Sequence, residues 1–225
     1  MQKSMIRLIS LADVITIINA VFGFLAIIML FSNQIRISFS LILLALLADG
    51  LDGIVARKVG KGKTGEYLEA MADMISLSIA PMIFVYTTYN DTILSEQSFH
   101  ILVLGIFILF LICSVIRLSS FHILKDKKYF IGLPASASTI FILILAFLQI
   151  DFIYILPFIA VMSFAMISPV RFPKPGLKID TIAAGLIIIT LVMGNIYNGI
   201  APILLFAALL IYAIIGPLYI RKNSA

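Results

Sequence analysis

The sequence predicts an all-α fold, a polytopic integral membrane helical bundle of about eight transmembrane helices, and three observations carry that expectation. The 225 residues are 62% hydrophobic and 12% charged, with no tryptophan, far more apolar than a soluble domain of this length. Apolar runs recur along the chain, each close to the roughly 20 residues needed to cross a hydrocarbon core. The basic residues between them gather on alternate loops.

Each element follows from its run of residues. The first span, 11–32, is interrupted early by Ser10-Leu-Ala-Asp13 and then continues at spanning length, so no cleavable signal peptide is expected. The second, 36–57, carries Asp49 and Asp52 near its end and closes on Arg57. A short turn rich in Gly and Lys leads to the third, 66–88, with Glu69 and Asp73 near its start. The fourth, 97–122, is a long apolar run that contains Cys113 and Arg117. Spans at 132–149, 152–169, 179–195 and 199–220 complete the series. Without a Pro/Ser/Gly-rich linker, low-complexity tract or internal repeat, 1–225 reads as one domain. A single cysteine excludes an intramolecular disulfide and zinc-cluster chemistry, and Cys113 reads as a small buried hydrophobe.

A net charge of +5 would suit nucleic acid, but the placement of the charges excludes that partner. Lys3/Arg7, Arg57/Lys58/Lys61/Lys63, Lys125/Lys127/Lys128 with Arg171/Lys174/Lys178, and Arg221/Lys222 fall on one set of loops. The other loops carry Asp91/Glu96, Asp151 or no charge, with Arg36 the exception. This is the positive-inside pattern and places both termini in the cytoplasm. The same cations can also meet anionic headgroups.

Asp49, Asp52, Glu69 and Asp73 are four carboxylates inside segments otherwise apolar enough for a membrane. A charge near mid-bilayer costs roughly 2.5–3.5 kcal/mol, so four left unpaired would approach 10 kcal/mol, a large share of a folding free energy of about 5–15 kcal/mol. Asp49 and Asp52 are three apart and Glu69 and Asp73 four apart, so each pair lies on one helix face. Two antiparallel helices joined by a short turn bring both pairs to one depth. Oxygen donors without a His or Cys partner favour hard cations such as magnesium, manganese or calcium. His100 and His122 lie far off in sequence, near span ends, and read as interfacial residues. Four carboxylates can hold two ions about 3.5–4 Å apart, an arrangement suited to phosphoryl transfer. Gly53 and Gly65 remove side chains where a diphosphate would approach backbone, and Arg57 can hold a phosphate oxygen.

The pattern resembles the CDP-alcohol phosphotransferase family, whose signature reads Asp, two residues, Asp-Gly, two residues, Ala-Arg, about eight residues, Gly, three residues, Asp, three residues, Asp. Asp49, Asp52, Gly53, Ala56, Arg57, Gly65 and Asp73 match it. The Arg57–Gly65 gap is seven residues, one shorter, and Glu69 stands in place of the third aspartate. Ala72-Asp73-Met-Ile-Ser76-Leu-Ser78-Ile-Ala80-Pro81, Phe130-Ile-Gly132-Leu133-Pro134 and Arg171-Phe-Pro173-Lys174 resemble the serine-using branch, the phosphatidylserine and archaetidylserine synthases. Thr16, Asn19 and Gly23 in the first span are also family-like. Three positions depart from the branch: Ser120 replaces a second arginine, Ser78 a glycine and Ser136 a proline.

The resemblance implies a six-helix family core plus two helices. It also implies transfer of a lipid-bearing phosphoryl group from a CDP-activated lipid to the hydroxyl of L-serine, with release of CMP. The implied cofactor is a divalent metal, Mg2+ or Mn2+, as two ions: Asp49, Asp52 and Glu69 around one, Asp49, Glu69 and Asp73 around the other. Asp73 is the candidate general base, since a hydroxyl needs one at neutral pH. Asp52, Gly53, Ala56, Arg57 and Gly65 would form the CDP-lipid pocket, open toward the bilayer. Ser76, Arg117, Lys125 and Lys128 are candidates for the lipid phosphate or the serine carboxylate. A homodimer and an active site near the cytoplasmic face are expected. The rivals are another acceptor such as glycerol phosphate or inositol phosphate, a family member that only binds, and a cation transporter. The last predicts acids spread through the membrane's depth, not gathered at one interface.

Overall fold

The computed structural model describes residues 5–60, 62–121, 123, 124, 126, 129–194 and 199–223. Its first helix, α1 (Leu11–Phe31), turns Ala12, Asp13, Thr16, Asn19, Gly23, Ala26 and Leu30 inward. Val14, Ile17, Ile18, Val21, Phe24 and Ile28 face outward and are exposed. Small and polar residues inside with large apolar ones outside invert the pattern of a soluble helix. In lipid the arrangement is favourable, because the solvent is itself apolar and helices associate through close backbone approach and polar contacts.

The remaining elements are α2 (Ile35–Val59), α3 (Gly65–Asp73), a π-helical segment (Met74–Ile79), α4 (Ala80–Thr88), α5 (Asn90–Ile93), α6 (Gln97–Ser120), β1 (Tyr129–Ile131), α7 (Ala135–Phe147), α8 (Phe152–Ile167), β2 (Arg171–Pro173), α9 (Leu177–Met193) and α10 (Ile200–Asn223). All eight expected segments are helical, but they are not equal. Leu11–Phe31, Ile35–Val59, Gly65–Thr88, Gln97–Ser120 and Ile200–Arg221 are long and apolar enough to cross a membrane. Ala135–Phe147, Phe152–Ile167 and Ile179–Met193 are apolar but shorter. At 1.5 Å per residue α7 is about 20 Å long, short of a hydrocarbon core of about 30 Å. Its residues are nearly all buried, so α7 is enclosed by other helices. Phe39, Phe84, Phe110, Phe141 and Phe152 fill the interior, with Phe39 and Phe147 stacked at 3.8 Å between centroids.

The third span carries a register change that its sequence explains. Pro81 has no N–H to donate to the Leu77 carbonyl, and in straight α-helix its ring would clash with that carbonyl. The helix widens just before it into the π-helical turn Met74–Ile79, so that Ala80 N–H reaches back to Ile75 O. The Leu77 carbonyl receives Thr139 Oγ1 from α7 at 2.5 Å instead. Pro81 thus fixes the helix immediately after Asp73 and ties it to α7.

The structure also contains a short antiparallel ribbon that the all-α expectation did not include. Tyr129 pairs with Pro173, Phe130 with Phe172 and Ile131 with Arg171. This joins the Phe-Ile-Gly-Leu-Pro and Arg-Phe-Pro-Lys stretches, 40 residues apart, into one unit. At its end Gly132 adopts φ 76°, and a Cβ there would stand 2.1 Å from the Met166 carbonyl oxygen, so only glycine fits. Tyr212 of α10 donates its hydroxyl to Pro173 O at 2.9 Å. Lys174 donates to the Asp126 carbonyl and lies over the Phe130 ring at 5.0 Å.

Candidate active site

The carboxylate site is organised by α1. Ser10 caps the helix in a capping box: its N–H donates to Asp13 Oδ2 at 2.7 Å, and Asp13 N–H donates to Ser10 Oγ at 3.3 Å. The same Asp13 oxygen accepts the Gly62 N–H at 3.0 Å. That bond fastens the α2–α3 loop to the start of α1, at one end of the bundle. About one turn further in Thr16 Oγ1 donates to Asp52 Oδ2 at 2.5 Å, and about one turn beyond that Asn19 Nδ2 donates to Asp73 Oδ1 at 3.0 Å. Thr16 and Asn19 are three residues apart and so share a face. One stripe of α1 thereby grips a carboxylate from each acidic helix.

The expected pair of facing helices is therefore a three-helix arrangement, in which α1 packs along α2, α3 and the π-helical segment. Gly23 permits the approach: a Cβ on it would lie 2.7 Å from both Cα and Cβ of Ser76. Counted at 1.5 Å per residue from the loop ends of their helices, Asn19, Asp49, Asp52, Glu69 and Asp73 all lie about 6–15 Å in.

Asp52 and Asp73 are 2% and 8% exposed, while Asp49 and Glu69 are half-buried. The Asp73 carboxylate feels the negative charges of Asp49, Glu69 and Asp52 together. Asp49, Asp52 and Glu69 thus all act on the one Asp73 carboxylate. Among the described residues no three acidic, His or Cys side chains converge tightly enough to chelate an ion as they stand. The donor chemistry nevertheless fits a hard divalent cation: every candidate ligand is an oxygen, and a 2+ ion would relieve the mutual repulsion.

The neighbouring positions fall as follows. No atom lies within 4 Å of where a Gly53 Cβ would stand, so backbone is approachable there. Ala56 is half-buried, Arg57 exposed and Gly65 buried. Asp180 at the start of α9 interacts electrostatically with Arg57. Ser76 is fully buried and donates its hydroxyl to the Ala72 carbonyl of its own helix at 3.0 Å. Arg117 is buried; its Nε donates to Leu133 O at 3.4 Å and its guanidinium lies 5.1 Å over Phe121. Its helix, α6, packs on α3 and on the π-helical segment. Lys125 and Lys128 lie outside the described residues, as does His122. Cys113 is buried.

The residue order just described is matched from end to end by a known family. Residues 9–215 match the model of the CDP-alcohol phosphatidyltransferase family. The chain belongs to that family. It is 32% identical over 221 residues to the CDP-diacylglycerol–serine O-phosphatidyltransferase of Methanocaldococcus jannaschii, covering 96% of this chain and 98% of that protein. It is 30% identical over 181 residues to the archaetidylserine synthase of Methanothermobacter thermautotrophicus, 77% of this chain and 73% of that one. A Mycobacterium leprae CDP-diacylglycerol–serine O-phosphatidyltransferase is 28% identical over 160 residues, 67% of this chain and 51% of that one. The resemblance read from the motifs is confirmed: the family is the one expected, and the relatives just named are serine O-phosphatidyltransferases and an archaetidylserine synthase. Thr16 and Asn19, polar residues three apart in an apolar span, were the signal for the third wall of the site.

Proposed function

We propose that this chain transfers a lipid-bearing phosphoryl group from a CDP-activated lipid to the hydroxyl of L-serine and releases CMP. The observation that carries the reading is the buried Asp73, held by Asn19 and facing three further acids. The names of the relatives above support serine as the acceptor.

The serine oxygen forms the new bond to phosphorus, and the bond from phosphorus to the CMP oxygen breaks. CMP leaves with that electron pair, and the hydroxyl proton goes to Asp73. Because Asn19 donates to one Asp73 oxygen, the other is left to take the proton. Asp49, Asp52, Glu69 and Asp73 would hold Mg2+ or Mn2+. Such an ion supplies charge stabilisation for the phosphoryl oxygens and the leaving group. Thr16 fixes Asp52, and Gly53, Ala56, Arg57 and Gly65 shape the nucleotide pocket. Arg117, stacked beside the ribbon, is the candidate for the lipid phosphate or the serine carboxylate. Ser76, its hydroxyl engaged with Ala72, packs its Cα and Cβ against Gly23. All eight apolar helices belong to the membrane domain in this reading, which has both termini and the site on the cytoplasmic side and works as a homodimer.

The test is CMP release in proteoliposomes from CDP-diacylglycerol or CDP-archaeol, with a panel of alcohols and of divalent ions. Serine-dependent release that chelator abolishes is the expected result. Turnover with glycerol phosphate or inositol phosphate but not serine would overturn the acceptor assignment.

A further inference from the structure

Asn19 is 0% exposed. Its Nδ2 is used on Asp73, while its Oδ1 has no hydrogen-bond partner among the described residues. The assignment of the two amide atoms is fixed by chemistry, since the reverse would set an oxygen against the carboxylate. A fully buried amide oxygen without a donor is unfavourable by roughly 1–3 kcal/mol, and such groups in a site mark a ligand contact. It belongs to the same planar amide whose nitrogen binds Asp73, so it stands beside the carboxylate that takes the acceptor's proton.

We infer that Asn19 Oδ1 is the acceptor site for the ammonium group of the amino-alcohol substrate. The inference rests on the functional reading above. In serine the hydroxyl and the ammonium sit on adjacent carbons, so a hydroxyl placed at Asp73 brings the ammonium within reach of the adjoining amide oxygen. A neutral carbonyl suits the role. It accepts an N–H, adds no charge to a site already holding four acids, and does not compete with Asp73 for the hydroxyl proton. Discrimination follows as well, because a site built to accept an N–H rejects an analogue that lacks it. Asn19 thus determines specificity, and Asp73 performs proton transfer.

The test compares L-serine with 3-hydroxypropanoate, which keeps the hydroxyl and the carboxylate but lacks the amine. Wild type and Asn19→Ala are assayed in proteoliposomes, with the thermal unfolding midpoint of the purified protein as the measure of a folded bundle. The expected result is an Asn19→Ala enzyme whose preference for serine over 3-hydroxypropanoate falls about tenfold or more, chiefly through KM for serine. An equal loss of kcat for both acceptors would make Asn19 only a support for Asp73 and overturn the inference. So would an unchanged preference with a weakened apparent affinity for Mn2+, which would assign Oδ1 to the cation. If Asn19→Ala fails to fold, Asn19→Ser, which keeps a small polar group, must show the same loss of preference. Wild type that uses no serine at all would sink the functional reading itself, a distinct result.

Discussion

Replacing Gly62 with alanine tests how far the α2–α3 loop depends on its anchor to α1. A Cβ at this position would stand 2.1 Å from Asp13 Oδ2 and 2.3 Å from the Leu8 carbonyl oxygen. Neither contact is tolerable, and both partners are held, Asp13 by the capping box and Leu8 by backbone. The loop must therefore move and break the Gly62 N–H to carboxylate bond. Overpacking costs about 1–3 kcal/mol and a hydrogen bond to a charged group contributes about 1.5–3 kcal/mol. Loop movement relieves part of the first as it forfeits the second, which leaves about 2–3 kcal/mol acting locally. Gly60 and Lys63 on either side are exposed, so the loop can lift without unfolding the bundle. Arg57 and Gly65 flank this loop, so the loss falls on CDP-lipid binding. At 1.4 kcal/mol per decade, KM for the CDP-lipid should rise about thirtyfold to a hundredfold, with kcat changed far less. CMP-release kinetics at saturating serine reads both constants. Asp13→Ala removes the clash with Oδ2 but not that with Leu8, so the double variant should lose less than the sum of the two singles. Strictly additive losses, or a Gly62→Ala enzyme with wild-type KM, would refute the reasoning.

The other expectations concern the carboxylates and the topology. Asp49→Asn or Asp52→Asn should abolish turnover while the protein still folds. Retention of more than about a tenth of the rate, a barrier change near 1.4 kcal/mol, would remove that residue from the metal set. Asp73→Asn should depress kcat far more than it weakens CDP-lipid binding, as befits a group acting mainly in the transition state; a loss confined to affinity would make it a binding residue only. Glu69→Gln should be nearly inactive, whereas Glu69→Asp should work in a way that depends on the ion supplied, and full activity in Glu69→Gln would exclude Glu69 as a ligand. Cysteines placed at Lys63 and Asp91 in a Cys113→Ala background should label from opposite faces, and labelling of both from one face would contradict the topology.

What the chain disclosed in advance depended on how local the cause was. The apolar runs are set by composition alone, and so are the positions of the helices. The acidic pairs lie on single helix faces because three- and four-residue spacings act within one helix. Three features depended on contacts between distant elements, and none of them could be read from spacing. One is the short length of α7, α8 and α9, of which α7 is enclosed by other helices while α8 and α9 keep exposed apolar faces. The second is the ribbon, where Tyr129–Ile131 and Arg171–Pro173 are too brief to register as strands by alternation. The third is the part played by α1. Thr16 and Asn19 were visible as polar residues in an apolar span, but their partners are 36 and 54 residues away. Pro81 falls between the two kinds. Its effect on its own helix is local, yet the Leu77 carbonyl, to which Pro81 cannot donate, accepts from Thr139, 62 residues on. The site therefore combines two origins: the acids are supplied by one short stretch of sequence, while α1 supplies Thr16 and Asn19 as donors to Asp52 and Asp73 and Asp13 as the acceptor for the Gly62 N–H. A substitution at Thr16 or Asn19 on the inward stripe of α1 should consequently alter chemistry although it changes no acid, while the outward Val, Ile and Phe positions, exposed on the surface of the bundle, should accept other apolar residues with little effect.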